Sequence, residues 1–272
     1  MVTLRLTQRP FPELMTTDSS SSRIAPEPAA MQSLEQAVHS GSREVLLAAA
    51  AHPGLSEDLA LALLKRPELP AEVIEQLNKN TALKKSRKVQ LAVVSHPKTP
   101  RHISVPVVRH LFTFDLMQVA LTPVVPADLK LAADDALRSR LETISTGEKL
   151  SLARRASGRV AGALLLDPEL RVMKAALDNS RLTEGSIVKA IMSPGAPAAF
   201  IDAVSRHAKW CLRHEVKIAL LRNEKTPAAR VVELARAFPP AQLRAILEAS
   251  RLSAKAKSCL LQALRERTGK AN

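Results

Sequence analysis

Residues Val89–Pro100 read VQLAVVSHPKTP, and residues Val216–Pro227 read VKIALLRNEKTP. Each is an apolar stretch at helical spacing, then a breaker, then a Thr-Pro pair that opens a further helix. The two stretches are 216 − 89 = 127 residues apart. That displacement continues without a gap: residues 43–140 lie on 170–267. Val45, Ala48, Leu55, Glu57, Pro67, Pro70 and Ile74 meet Val172, Ala175, Leu182, Glu184, Pro194, Pro197 and Ile201. A fixed, ungapped period of this kind marks tandem structural repeats.

A shorter period sits inside the long one. Displaced by 44, Val45, Ala48, His52 and Pro53 meet Val89, Ala92, His96 and Pro97; Val172, Ala175 and Asn179 meet Val216, Ala219 and Asn223. Four units therefore start near Arg43, Arg87, Leu170 and His214, each holding two or three short helices. Residues 141–169 are less regular, with Leu150 and Ala153, then Val160 and Leu164, echoing a half-unit. The expected organisation is a disordered tail over 1–41, a first pair of repeats over 42–140, an irregular middle repeat over 141–169 and a second pair over 170–272. Within the tail, Thr16–Ala30 is too rich in Ser, Pro and Ala to offset chain entropy, and a helix is expected to begin near Ala30.

Composition agrees with helices. Apolar residues form 46% of the 272, mostly Ala, Leu and Val, with no Tyr, one Trp and five Phe. Ala and Leu favour helix, whereas aromatic and β-branched residues favour strand. The fold class expected is all-α. Without a basic leader or a run of about 18 apolar residues, a soluble cytoplasmic protein is expected.

The recurring positions suggest physical roles. Val45, Ala48 and Ala49 form one helix face, and small Ala at 48, 92, 175 and 219 would let helix backbones approach closely. His52, His96, Asn179 and Asn223 are expected to end helices in the left-handed conformation. Ser56, Thr99, Thr183 and Thr226 are expected to accept an orphan backbone N–H, with Pro100 and Pro227 at the first helical position. Pro106 either kinks its helix or moves the start to Ser104.

The pattern resembles the HEAT and armadillo α-solenoid superfamily over residues 43–267, and also the leucine-rich-variant repeats of bacteria. That resemblance implies a curved, right-handed superhelix that binds a partner along one face, and it carries over no catalytic residue.

Signatures of chemistry are scarce. There is no HExxH, no P-loop, no GxGxxG after a strand and no GxSxG, so neither metal nor cofactor is expected. Adjacent Asp134 and Asp135 diverge by about 100° on a helix and do not converge on one substrate. Cys211 and Cys259 stand in no ligand spacing and read as core thiols. Trp210 aligns with Leu83, which suggests a core role. The chain is read as not an enzyme; a HEAT-like DNA glycosylase would want a pocket with aromatics and an acid.

Charge is the strongest functional hint. The chain carries a net +14, and from Val204 onward 15 Lys and Arg face 5 Glu. Two further basic clusters are Lys84–Lys88 and Arg154, Arg155 with Arg159. The function expected is a non-catalytic interaction scaffold holding a protein partner. The alternative is sequence-independent binding of duplex nucleic-acid backbone by the C-terminal repeats. Candidate contacts are Arg206, Lys209, Arg213, Lys217, Arg222, Lys225 and Arg230. Convergence of these cations on one strip would favour nucleic acid, and scatter would favour the scaffold.

Overall fold

The computed structural model describes residues 28–250 and, beyond them, Leu252, Ala254, Lys257, Ser258, Leu260 and Gln262. The expectations for residues 1–27 and for Cys259 lie outside the described residues. Among those described there are sixteen α-helices and no strand. The first four are α1 (Pro28–Val38), α2 (Arg43–Ala51), α3 (Glu57–Leu64) and α4 (Ala71–Lys79). Next come α5 (Arg87–Ser95), α6 (Arg101–His110), α7 (Thr113–Leu121) and α8 (Ala127–Arg140). The middle holds α9 (Thr146–Arg155), α10 (Gly158–Ala163) and a 3-10 turn, Leu164–Leu166. Then follow α11 (Leu170–Leu177), α12 (Glu184–Met192), α13 (Ala198–Arg206), α14 (His214–Arg222), α15 (Ala228–Ala235) and α16 (Pro240–Glu248). Helix α1 falls within the stretch 1–41 and buries Leu34 and Val38.

The long period is visible in the helices themselves. Helices α2 to α7 start at 43, 57, 71, 87, 101 and 113; α11 to α16 start at 170, 184, 198, 214, 228 and 240. Every start is displaced by 127, for example 170 − 43.

Two kinds of residue open these helices. Ser56, Ser86, Ser145, Ser157 and Thr183 each accept a hydrogen bond from a backbone N–H three residues on. At Ser145 the Glu148 carboxylate returns the favour to the Ser145 backbone N–H, a closed capping box. Pro70, Pro100, Pro126, Pro197, Pro227 and Pro239 occupy the N-cap itself. Proline suits that place because its fixed φ is compatible with the extended N-cap and its nitrogen has no hydrogen to leave unpaired.

Four local expectations need correction. Pro100 and Pro227 stand at the N-cap, one residue before the first helical position. Thr99 and Thr226 do not cap the helix ahead; their buried hydroxyls donate backwards, to the Val93 oxygen at 2.5 Å and the Leu220 oxygen at 2.6 Å. His52, His96 and Asn223 end their helices in extended rather than left-handed backbone, and no described non-glycine residue has positive φ. Val45 and Ala48 are exposed, because α2 turns Leu46, Ala49 and Ala50 inward. The counterpart Ala175 is buried in α11, which contacts α9, α10, the 3-10 turn and α13, whereas α2 contacts α1 and α4. Pro106 sits inside an unbroken α6, so the start does not move to Ser104.

Substantial contacts join each helix to its next or next-but-one neighbour. Helix α2 packs on α4, α3 on α5, α6 on α8, α8 on α10, α10 on α12, α12 on α14 and α14 on α16. Stacking therefore advances two helices at a time. The 44-residue period advances three, from α2 at 43 to α5 at 87. Successive sequence copies thus fall in alternate rows. The apolar core divides into two clusters, one from Val38 to Ile103 and one from Val94 to Leu260. The break lies at α5 and α6; the irregular middle is built fully into the second cluster through Leu152, Val160 and Leu164.

Polar side chains tie each step to the one before it. Asn80 donates to the Ala50 and His52 oxygens, and Asn223 donates to the Ile191 oxygen at 2.7 Å. Buried Asn179 donates to the Ala153 oxygen at 2.8 Å and the Ala156 oxygen at 3.2 Å. His96 Nε2 donates to the Arg66 oxygen at 3.0 Å while its Nδ1 accepts from the Lys98 N–H, which fixes the ring tautomer. In each case the other side-chain atom accepts the N–H two residues on, so one residue closes its own turn and caps an earlier helix end.

Candidate functional site

A concavity lies between α8, α10 and α12. Helix α8 has 14 residues and α12 has 9, but α10 between them has 6. After Ala163 the chain tightens into the 3-10 turn, which buries Leu164 and Leu165 and leaves Leu166 half-buried. Where α10 stops, the row has a gap, a groove of about 700 Å³. Its start is equally constrained: a Cβ on Gly158 would fall 2.3 Å from the Arg181 backbone oxygen, so only glycine lets α10 sit this close to the α11–α12 turn.

Three cations line the groove: Arg138 in the last turn of α8, Arg159 in α10 and Lys189 in α12. Among the described residues, no acidic one lines it. Asp135, just outside, pairs with Arg159 at 3.0 Å and with Arg138 at 3.7 Å. Next to it, buried Asp134 accepts the Ser157 hydroxyl at 2.7 Å, and burial pushes its carboxyl above the usual range against the opposing pull of that bond and of Arg159. The floor is small and apolar, with Gly162, Ala163, Ala190, Leu166 and the 44% exposed Met192.

A second groove, about 430 Å³, separates α11 from α13. Here charges are balanced: Arg206 is held by Asp202 at 2.9 Å, and His207 faces Asp178 at 3.1 Å. A third, small crevice of about 40 Å³ lies between the ends of α12 and α14, beside Arg222 and Lys225.

The seven cations nominated from the sequence are distributed over these places. Arg206 lines the α11–α13 groove, while Arg222 and Lys225 line the α12–α14 crevice, in the other row. Lys209 lies over the Trp210 ring at 4.1 Å, and Trp210 is buried with its Nε1 donating to the Leu177 oxygen. Lys225 Nζ donates to the Ala196 oxygen at 2.6 Å. Arg230 donates to the Ser205 oxygen and to Glu233. Arg213 is exposed and Lys217 half-buried.

Arg159 belonged to a basic cluster already visible in the sequence; Arg138, Lys189 and Met192 did not. The available signal was the stretch GRVAGALLLDPEL, Gly158–Leu170, whose two glycines and early stop announce a helix too short for its row. Among the described residues, no group of three or more His, Cys, Asp or Glu is arranged to hold a metal, and no helix is long and apolar enough to cross a membrane. Compared with known proteins, the chain matches no family model, no curated protein and no solved structure.

Proposed function

We propose that this chain is a non-catalytic interaction scaffold, a right-handed α-solenoid of HEAT/armadillo-like repeats that holds a protein partner along one face. A soluble, cytoplasmic setting is part of the same proposal. The observation that carries it is the pattern of contact: helices touch their next and next-but-one neighbours, and open grooves lie between members of a row. Units that stack only on neighbours present an extended surface whose length grows with their number. The helix starts that recur at 127 support a duplicated repeat array.

A protein partner is favoured over nucleic acid by how the cations are used. Several nominated basic groups are bound to backbone oxygens or carboxylates within the chain, and so are less available to phosphate. The nucleic-acid reading draws on exposed Arg213, Arg236 and Arg244 together with the net +14. The test is capture of partners on the full chain with and without nuclease, followed by titration with the purified partner. A stoichiometric, nuclease-resistant protein complex supports the scaffold. Steeply salt-dependent binding to mixed-sequence duplex DNA near 50 mM salt, with no such complex, refutes it.

A further inference from the structure

We infer that the groove between α8, α10 and α12 docks a short acidic segment of a partner protein that carries an apolar anchor. Its carboxylates would meet Arg138, Arg159 and Lys189, and its anchor would rest on Leu166, Ala163 and Met192. This inference rests on the scaffold reading and narrows it to one groove and one ligand chemistry.

Three observations point to that occupant. The first is space: about 700 Å³ falls within the range of ligand-binding clefts and comes from the missing end of α10. The second is charge. Among the described residues three cations line the walls against no lining acid, and the Asp135 carboxylate just outside is shared between two of them, Arg138 and Arg159. Lys189 makes no ion pair among the described residues, so its ammonium is available to a ligand. The balanced α11–α13 groove offers no such field. The third is the floor. Phosphate backbone would use the cations but gains nothing from Met192, a flexible and polarisable side chain left 44% exposed beside Ala163 and Leu166. An apolar anchor on a carboxylate-bearing peptide uses both, and methionine adapts well to such anchors.

The experiment pans a displayed random-peptide library on the full chain and then titrates the enriched peptides, fluorescently labelled, by anisotropy. Enriched sequences should combine two or more acidic residues with a Leu-, Met- or Phe-type anchor. Lys189→Glu, an exposed change in α12, should weaken them by about tenfold or more through like-charge repulsion. Ala163→Trp, which leaves every charge in place and fills the groove, should weaken them comparably, with far-UV circular dichroism showing both variants folded. Enriched peptides that bind both variants as well as the parent chain overturn the groove and leave the scaffold reading standing. A basic or uncharged consensus overturns the charge argument. No enrichment at all, alongside salt-dependent duplex DNA binding, overturns both readings together.

Discussion

Asn179 offers the sharpest test of how one helical step is tied to the next. It is 2% exposed and makes three hydrogen bonds. Its Nδ2 reaches the Ala153 and Ala156 oxygens at the end of α9, and its Oδ1 accepts the Arg181 N–H at 2.8 Å. Asn179→Ala would strand both oxygens in residues that are themselves fully buried, with no route to water. A stranded buried carbonyl costs about 1–3 kcal/mol, whereas Arg181 is exposed and its N–H regains a water. Two carbonyls near the middle of that range give a loss of about 3–4 kcal/mol. Asn80 makes the same three kinds of bond, to the Ala50 and His52 oxygens and from the Ala82 N–H, in a half-exposed setting. There His52 is exposed and only Ala50 is fully buried, so water can replace the side chain at one of the two oxygens and Asn80→Ala should cost about half as much, about 1–2 kcal/mol. Asn179→Asp should be worse than Asn179→Ala, since it points a carboxylate oxygen at two carbonyl oxygens. Urea unfolding followed by circular dichroism measures all three. Equal losses for the two alanine variants, or a well-tolerated Asn179→Asp, would refute the account of how the steps are joined.

The remaining predictions concern close packing, one glycine and one carboxyl. Ala175→Leu or Ala219→Leu should overpack a helix junction and cost about 1–3 kcal/mol in thermal unfolding, because both positions are buried. Gly158→Ala should cost at least about 2 kcal/mol, given the 2.3 Å approach to the Arg181 oxygen, while Gly185→Ala, with nothing within 4 Å, should be neutral or stabilising. Asp134 has a folded-state pKa above its unfolded value, so the folded protein binds the proton more tightly, and stability falls as pH rises from the unfolded pKa through the folded one. Asp134→Asn keeps an acceptor for Ser157, and should therefore be more stable than the parent at pH 7, with the advantage shrinking as pH falls through the folded pKa towards the unfolded one of about 4. Equal stability differences at the two pH values in urea titrations would refute that sign. Lys225→Met should destabilise by about 1–2 kcal/mol by leaving the Ala196 oxygen without its donor, whereas Arg213→Ala should change stability by less than about 0.5 kcal/mol.

Helix existence and register were legible because they are local properties. Apolar spacing, a Ser three residues before its N–H partner, and a Pro that cannot continue a helix all act within one turn, and they recur at 127 in sequence and in helix starts alike. What the sequence did not disclose was decided by neighbours distant along the chain. A threonine hydroxyl can accept forward or donate backward; burial beside the Val93 and Leu220 oxygens made Thr99 and Thr226 donate. An alanine face can be buried or bare, and Ala48 differs from Ala175 in its surroundings: α11 contacts α9, α10, the 3-10 turn and α13, and α2 contacts α1 and α4. The α8–α10–α12 groove was hidden for the same reason. It is a difference in length between helices two apart in the chain, and no single helix carries it.

The basic composition itself admits a structural explanation for part of its excess. Arg66 donates to the Val38 and Ser40 oxygens, Arg140 to the Leu111 and Arg109 oxygens, Arg181 to the Arg155 oxygen and Arg230 to the Ser205 oxygen. Each reaches back to the closing turn of an earlier helix, where unpaired carbonyls and the negative end of the helix dipole attract a cation. Lys98 and Lys225, related by the 127-residue displacement, do the same for the loops at Glu68 and Ala196. Short helices end often, and every end exposes several acceptors with few donors. An array built from helices of 6 to 14 residues therefore has a standing use for arginine and lysine that requires no ligand. Part of the +14 thus already serves helix ends, and the informative cations are those, like Lys189, with no carbonyl or carboxylate partner among the described residues.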